Sequence, residues 1–427
     1  MRAQQPQGAT PQAGKDNEKA ALEQRLRDLE DRVVALEGEL RQLKAQNAQP
    51  AKPEAAPPAA APSAGQQAAA QPAPASQAEA VRLGGAGGAA AKALNPDISV
   101  IGDFIAAAGH NPINPTPAFQ MHESELGLQA IIDPYARGDF FISFGEEGVN
   151  LEEGFVTFTA LPASFVAKGG KMRAAFGKVN TMHNHVLPWA DRPLVTQNLV
   201  GGEDGINDAG FSVQRIIPAP GSWFVEGTGQ VFRGDSADVF TSSEKNDVSV
   251  VGHLRTYKDL SESTNIDLGG SFSRGHNLFG SDFITHLYGV DATLRWKPLQ
   301  RAIYHSFVAR SEFIWRQQNQ PNIGVCAAIA CPAFVRTGYQ RGFGFYTSAD
   351  YQFARRWFVG GRMDRSDRPF DASLTDKGGS LVLTYWPSEF AQLRGQYRFT
   401  RYAQNFDAHE AFIQLQFSLG AHGAHPF

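Results

Sequence analysis

Two histidines in the stretch HNH, His183 and His185, have the residue type and spacing that most directly suggest chemistry. An extended segment places residues i and i+2 on the same side, and two imidazoles on one side form half of a zinc or copper site. A complete site needs further ligands, and His122 is the candidate for a third. The sequence therefore predicts a pair of metal ligands, with histidines that only hydrogen-bond and hold a loop as the alternative.

The chain has two cysteines, Cys326 and Cys331, which lie five residues apart in CAAIAC. A disulfide between them would close a small ring and stiffen a long loop. Two cysteines that sit together in a loop also suit an oxidising compartment. We therefore predict that they pair.

The elements that must position these residues fall into segments of different composition. Leucines and Val33 recur at alternating spacings of four and three between Leu22 and Leu43, a heptad pattern typical of a coiled coil; a lone amphipathic helix is the alternative. The Ala/Pro/Gly-rich stretch after it cannot bury a core. We predict five segments: a disordered N-terminus (1–17), a periplasmic coiled coil (18–46), a linker (47–94), a β-barrel (95–422) and a periplasmic tail (423–427).

From about Asn95 onward, apolar and polar residues alternate with period two, which predicts about sixteen β-strands of 8 to 12 residues. A soluble β-sandwich also alternates. Long strands, aromatic residues at strand ends and links that are alternately short and long instead favour a membrane barrel. The predicted fold is all-β, a transmembrane antiparallel up-and-down barrel. Its last strand is FIQLQFSLG, which closes the barrel against the strand that begins near Ile98.

The heptads ahead of the barrel and the alternating segment FIQLQF resemble Gram-negative outer-membrane porins, in particular phosphate-selective-porin-like proteins with an N-terminal coiled coil. The resemblance covers nearly the whole chain by architecture. It implies a barrel surrounded by outer-membrane lipid, a C-terminal strand read by the barrel assembly machinery, and a homo-oligomer, with a trimer favoured. Phosphate selectivity is not implied, because the sequence has no lysine ladder.

With the apolar rows facing lipid, the charged rows face a lumen wide enough for an aqueous channel. The candidate pore-lining residues carry both signs of charge: Glu123, Glu125, Arg137, Asp139, Lys171, Arg173, Arg255, Asp291, Arg295, Arg310, Glu312, Arg362, Asp364, Arg394 and Arg398. The mixture of positive and negative side chains predicts weak ion selectivity, or opposed acidic and basic walls that orient small polar solutes. Alternatively, many of these groups pair across neighbouring strands and keep the wall rigid.

The long link between the fifth and sixth strands contains the HNH pair. The porin resemblance implies that this loop folds into the lumen and narrows it, and Trp189 suits a packed loop. The candidates to line the constriction are Asp191, Arg192, Glu203 and Asp204. His422 and His425, near the chain end, are expected on the opposite side of the membrane from the loop.

The function that these patterns favour is a porin or channel for passive diffusion of small polar solutes or ions. The sequence has no GxSxG, HExxH or P-loop motif, and its net charge of −4 gives no basic patch for nucleic acid. We therefore predict no enzyme activity, no cofactor and no nucleic-acid partner. The N-terminus lacks the apolar core of a signal peptide, so either the protein is cytoplasmic, or a signal was removed or was missed when the start site was assigned. The alternatives are an envelope tether or adhesin-like barrel, linked to peptidoglycan or another periplasmic partner, and a metal-uptake channel that uses His183 and His185.

Overall fold

The computed structural model describes residues 96–145, 148–236, 238–321 and 337–420. Within them, sixteen antiparallel strands form one closed barrel, in which each strand pairs with its sequence neighbours and β16 pairs with β1. The predicted fold class and strand number are confirmed. The strands are β1 (Asp97–His110), β2 (Phe119–Asp133), β3 (Ala136–Gly145), β4 (Gly148–Phe158), β5 (Phe165–Arg173), β6 (Asn207–Ile217), β7 (Phe224–Phe232), β8 (Ser249–Ser261), β9 (Thr264–Asn277), β10 (Gly280–Trp296), β11 (Ser306–Pro321), β12 (Thr337–Ala354), β13 (Trp357–Asp367), β14 (Thr375–Ser388), β15 (Ala391–Arg401) and β16 (Asp407–Gly420).

The strands are longer than the sequence predicts, reaching 18 residues in β12. Crossing a bilayer takes roughly 9 to 11 tilted residues, and the longest strands exceed that length. Residues 134–135, 262–263, 355–356 and 389–390 form tight links at one end of the barrel, the short-turn end. The opposite, long-loop end carries the links between β5 and β6 and between β7 and β8, although residues 278–279 form a short link there as well.

The alternation in β16 separates an apolar outer face from a polar inner face. Ile413 and Leu415 are exposed on the outside, whereas Gln414 and Gln416 are buried on the inside. This strand pairs with β1 over the register from Ser99 opposite Gly420 to His110 opposite His409, so the predicted closure is confirmed. The same separation runs around the barrel, whose exposed large side chains are mostly apolar and whose buried polar side chains mostly point inward.

The link between β5 and β6, residues 174–206, turns into the barrel and is called the inward loop below. It contains 3-10 turns at Val179–Thr181 and Asn184–Val186 and the short helix α1 (Leu194–Leu199). Its apolar side chains, Trp189 among them, form one buried cluster with inner-wall residues such as Ile314 and Tyr346. The inner wall is therefore apolar where the loop packs, although the alternation pattern predicts polar rows there.

Several predicted segments lie outside the described residues. These are the coiled coil, the linker, the C-terminal tail with His422 and His425, and the Cys326–Cys331 loop. Among the described residues, no helix is long and apolar enough to cross a membrane.

Candidate functional site: the inward loop and its contacts with the wall

Asp191 connects the inward loop to the wall of β13 and β15. Its Oδ2 accepts hydrogen bonds from Arg362 Nη2 at 2.8 Å and Arg398 Nη1 at 2.9 Å. Gln396 makes two hydrogen bonds to the loop. Its amide N–H donates to Asp191 Oδ1, and its Oε1 accepts from the backbone N–H of Ala190 at 2.8 Å. Charge-assisted bonds of this kind are the strong class, so Asp191 is the main electrostatic anchor on this side.

The pKa of Asp191 follows from its two guanidinium partners. Burial raises the pKa of the carboxyl, but Arg362 and Arg398 outweigh burial and lower it to about 2. A carboxyl whose pKa is lower in the folded state than in the unfolded chain stabilises the folded state when the pH is above the unfolded-state pKa. This stabilisation is lost as the pH falls through the folded-state pKa. The anchor is therefore fully charged at neutral pH.

A second anchor lies on β9 and β11, four strands away from the first. Glu312 accepts backbone N–H groups of Lys178 at 2.9 Å and Val179 at 3.3 Å. The ammonium of Lys178 donates to Asp267 at 2.9 Å. Gly177 has φ +59°, and a Cβ there would lie 1.7 Å from Glu312 Oε1, so only glycine allows the loop to approach this carboxylate.

Helix α1 packs against the inner face of β12. A Cβ on Gly344 would lie 2.7 Å from Val195 Cγ2, so the missing side chain gives the helix its space. The helix start is held by Asp364, which accepts the Leu194 N–H at 3.2 Å. Together with the Asp191 and Glu312 contacts, this packing fastens the loop to the wall on several sides of the lumen.

The HNH pair contacts a third part of the wall, formed by β2 and β4. His183 Nδ1 lies 2.5 Å from Glu125 Oε2, and its Nε2 lies 2.8 Å from Glu153 Oε2. His185 Nδ1 is 3.7 Å from Glu125 Oε2 and 3.9 Å from Glu123 Oε1. The two histidines therefore lie together, as the spacing predicts, but their neighbours are glutamates.

β-Bulges add ionisable groups to this region. Asp103 pairs with Glu123 and Phe104 with Met121, so His122 is an extra residue in β2. Glu152 is likewise extra in β4, because its two neighbours take the successive partners on β3. A bulge turns an additional side chain out of the alternation, and here both reach the inner surface. Alternation cannot reveal such positions, which is why Glu152 and its neighbour Glu153 are absent from the predicted set.

His183 is surrounded by carboxylates. Burial lowers the pKa of its imidazole, but Glu125, Glu152 and Glu153 outweigh burial and raise it well above the ordinary value. Without another cation, His183 is therefore the imidazolium partner of these carboxylates.

His122, the candidate third ligand, faces other partners. Its Nδ1 lies 3.2 Å from Asp103 Oδ2, and its Nε2 lies 3.5 Å from Glu203 Oε1. The group that brings metal-ligating atoms within 4.8 Å of one another consists of Glu123, Glu125, His183 and His185. The expectation that His122 completes the pair is therefore not met, because the bulge directs it toward Asp103.

The other constriction candidates serve different contacts. Arg192 is buried and donates to backbone carbonyls of the loop itself, Val179 at 3.1 Å and Met182 at 2.6 Å. Glu203 and Asp204 are exposed at the long-loop end, and their carbonyls accept Arg173 Nη1 at 3.1 and 3.0 Å. Of the four candidates, Asp191 is the one whose carboxylate pairs with arginines of the wall.

Lys171 differs from its predicted position on the inner face. It lies opposite Gly154, whose outward side meets the exposed rings and methyl groups of Phe140 and Leu151. Residues directly opposite in a sheet share a face, so Lys171 points outward, where its ammonium donates to the Leu151 carbonyl at 2.6 Å. Met172 takes the inner position instead because it packs into the apolar cluster under the loop.

The remaining pore-lining candidates lie on the inner face, and most are engaged in pairs. Arg255 pairs with Asp267 at 2.7 Å, Arg310 with Asp350 at 2.5 Å, and Arg362 with Asp364 at 2.7 Å. The other inner positions are Glu123, Glu125, Arg137, Asp139, Arg173, Asp291, Arg295, Glu312, Arg394 and Arg398. Pairing across the wall, which the sequence leaves open, is thus extensive.

A cavity of about 950 Å³ lies between the inward loop and the short-turn end. Loop residues Leu187 and Pro188 form part of its lining. Two carboxylates border the cavity, those of Asp350 and Glu389. Six cationic side chains also border it: Arg295, Lys297, Arg310, Arg355, Arg356 and Arg394. This chamber is called the basic vestibule below, and the acidic group around His183 lies on a different part of the wall.

Comparison with known proteins identifies the fold. No protein-family model matches the sequence. An uncharacterized protein of Aquifex aeolicus is 27% identical over 357 residues, which cover 74% of this chain and 72% of that protein. An anion-selective porin from Comamonas acidovorans is similar in structure, with TM-score 0.51, 10% identity and coverage of 76% of this chain and 99% of that one. Salmonella typhi OmpF, solved in complex with daunomycin, gives TM-score 0.51, 9% identity and coverage of 76% and 97%. The described barrel has the fold of the outer-membrane porins.

Proposed function

We propose that this porin-fold protein is an outer-membrane channel through which small polar solutes or ions diffuse passively. The observation that carries the proposal is the inverted polarity of the barrel: the outer face is apolar and exposed, and the inner face bears the charges. A soluble barrel requires the opposite arrangement, because its outer surface meets water. A closed barrel also leaves no unpaired strand edge, which hydrocarbon demands.

The inward loop is proposed as the constriction of this channel. Its support is that the loop reaches β2, β9, β11, β13 and β15 through His183, Lys178 and Asp191. A loop anchored at such separated points lies across the path of a solute. Passage is then restricted to the space that the loop leaves free, and size rather than chemical identity sets the first limit.

Liposome swelling with solutes of graded size tests the proposal. We expect vesicles that contain the protein to swell in small sugars or amino acids, at rates that fall steeply as the solute grows. The control is the same protein, heat-denatured before reconstitution. Vesicles with folded protein that swell no faster than this control would contradict a diffusion channel and leave a structural barrel as the alternative.

The basic vestibule predicts a preference for anions at the short-turn end. Like charges on a wall raise the local concentration of the opposite ion. We expect the reversal potential in a KCl gradient to indicate that chloride is favoured. The double variant Arg295→Gln/Arg355→Gln should lower the chloride-to-potassium permeability ratio by about a factor of two.

The matched control for this measurement is Arg401→Gln. Arg401 is an exposed arginine outside the vestibule, in a pair with Asp407, so the permeability ratio should not change. If the double variant and the control changed the chloride-to-potassium permeability ratio equally, the basic vestibule would not be the source of the anion preference.

Location and assembly remain part of the proposal. The porin fold and the apolar outer face support residence in the outer membrane of a Gram-negative bacterium. A homo-oligomer, with a trimer favoured, is supported by the heptads at 18–46, which lie outside the described residues. Cross-linking of the full chain in membranes, compared with a chain that lacks residues 18–46, checks this assembly.

A further inference from the structure

Four buried side chains at the junction of the inward loop and β2 converge on one point. They are Glu123 and Glu125 of β2 and His183 and His185 of the loop, and each offers a ligand atom within 4.8 Å of the others. The 3-10 turn at Asn184–Val186 directs the two histidines toward the wall, and Gln416 holds the turn by donating to the His185 carbonyl at 3.0 Å. Two elements distant in sequence therefore supply two ligands each.

Two members of this group lack hydrogen-bond partners. Both carboxylate oxygens of Glu123 and the Nδ1 of His185 are buried, and no described residue hydrogen-bonds to them. Each residue is only 6% exposed. Buried polar atoms are nearly always satisfied, and a buried carboxylate without a partner is especially unfavourable. We therefore expect a bound group from outside the described residues to contact the Glu123 carboxylate and the His185 Nδ1.

The nearby guanidinium groups do not meet this need. Arg173 Nη2 binds Glu152 at 3.3 Å, and Arg192 Nη1 donates to the Val179 carbonyl at 3.1 Å. His183 is occupied by Glu125 and Glu153. Glu123 is therefore left facing His185, at 3.9 Å between Oε1 and Nδ1.

We propose that Glu123, Glu125, His183 and His185 bind one divalent first-row transition-metal ion, of which Zn²⁺ is the probe. Two imidazoles and two carboxylates are a donor set that such ions accept and that Ca²⁺ and Mg²⁺, which prefer oxygen alone, do not. Ligand atoms about 2.0–2.2 Å from a tetrahedral ion lie roughly 3.3–3.6 Å apart. The separations of 2.5, 3.7 and 3.9 Å bracket that value, so small side-chain shifts complete the geometry.

Glu153 supplies an outer partner for this site. With His183 Nδ1 on the ion, its Nε2–H donates to Glu153 Oε2 at 2.8 Å. A carboxylate behind a ligating histidine fixes the ring and increases its basicity. The β4 bulge turns Glu152 inward beside Glu153, where its Oε2 lies 3.1 Å from His183 Nδ1 and 3.3 Å from Arg173 Nη2.

The ion would tie the HNH turn of the inward loop to β2. It would satisfy the buried polar atoms of Glu123 and His185, which no described side chain does. The site would therefore be structural, holding one part of the loop against the wall. Its existence does not depend on whether the barrel conducts, so failure of either proposal leaves the other intact.

Isothermal titration of the full chain in detergent, stripped with a chelator and then titrated with ZnCl₂, tests the site. We expect one ion per chain, and a loss of affinity for Glu123→Gln and His185→Ala larger than the ~10–100-fold that removal of an outer-shell partner costs. Glu153→Gln should fall within that ~10–100-fold range. The controls Glu226→Gln and His253→Ala, on the inner faces of β7 and β8, should bind as the unchanged chain does.

Cobalt provides a second measurement that needs no variant. Co²⁺ in a four-coordinate site of nitrogen and oxygen ligands gives intense visible absorption, whereas six-coordinate Co²⁺ is pale. We expect the intense bands on addition of Co²⁺ and their loss on addition of Zn²⁺. Absence of stoichiometric binding in the unchanged chain, or equal affinity of Glu123→Gln and Glu226→Gln, would overturn the proposal and leave His183 as a protonated partner of the glutamates.

Discussion

Deletion of residues 186–204 should raise the single-channel conductance several-fold. The deletion removes Trp189, the Asp191 anchor and helix α1, and so clears the segment that crosses the lumen. A sixteen-strand barrel without such a segment leaves an open aqueous channel. Planar-bilayer recording of the deletion beside the unchanged chain measures the difference directly.

This result requires that the barrel still folds, because the deletion uncovers apolar wall residues such as Ile314 and Tyr346. Heat-modifiable migration in gel electrophoresis checks folding. The matched control deletes residues 243–246, in the exposed part of the β7–β8 link at the same end of the barrel, and should leave the conductance unchanged. An intact deletion barrel with the conductance of the unchanged chain would mean that the loop does not limit flow.

Asp191→Ala should release the central part of the inward loop without unfolding the barrel. Removal of one partner from a buried charge pair costs about 3–5 kcal/mol. The loss of loop stability here should be lower, ~2–3 kcal/mol, because each arginine retains another carboxylate partner. Arg362 remains paired with Asp364, and Arg398 remains paired with Glu410. Amide exchange in residues around Trp189 should then accelerate by about 30- to 150-fold, and channel current should become noisier.

Asp204→Asn is the matched control for this prediction. It removes a carboxylate from the same loop, but the side chain of Asp204 is exposed, so exchange near Trp189 should stay at the level of the unchanged chain. If Asp191→Ala exchanged no faster than this control, the packing of Trp189 and α1 would hold the loop without the ion pairs.

The strand order and the direction of most side chains can be predicted from the sequence because a closed barrel with an apolar outer face and a polar inner face requires strict alternation. Ile413, Gln414 and Leu415 illustrate this: each faces the side that its position in the alternation gives. Lys171 is an exception, because it is predicted to face inward and instead faces outward. Its neighbour Met172 faces inward and packs against the inward loop.

The site is less predictable because its contacts are long-range or depend on bulges. Asp191 lies 171 and 207 residues from the arginines that bind it, and nothing local marks these partners. The glutamates around the HNH pair come from strands far upstream, and bulges in β2 and β4 shift which residues face inward. Sequence alone can therefore place His183 beside His185 and predict that Glu123 and Glu125 face inward, but it cannot show that the two pairs meet.

Planar-bilayer recording of the unchanged chain tests the central claim, passive diffusion through the barrel, most directly. The account predicts discrete conductance steps with a linear current–voltage relation, smaller than those of the 186–204 deletion. The deletion also serves as proof of insertion. Steps from the deletion with none from the folded, unchanged chain would contradict the account, because the inward loop would then close the barrel instead of narrowing it.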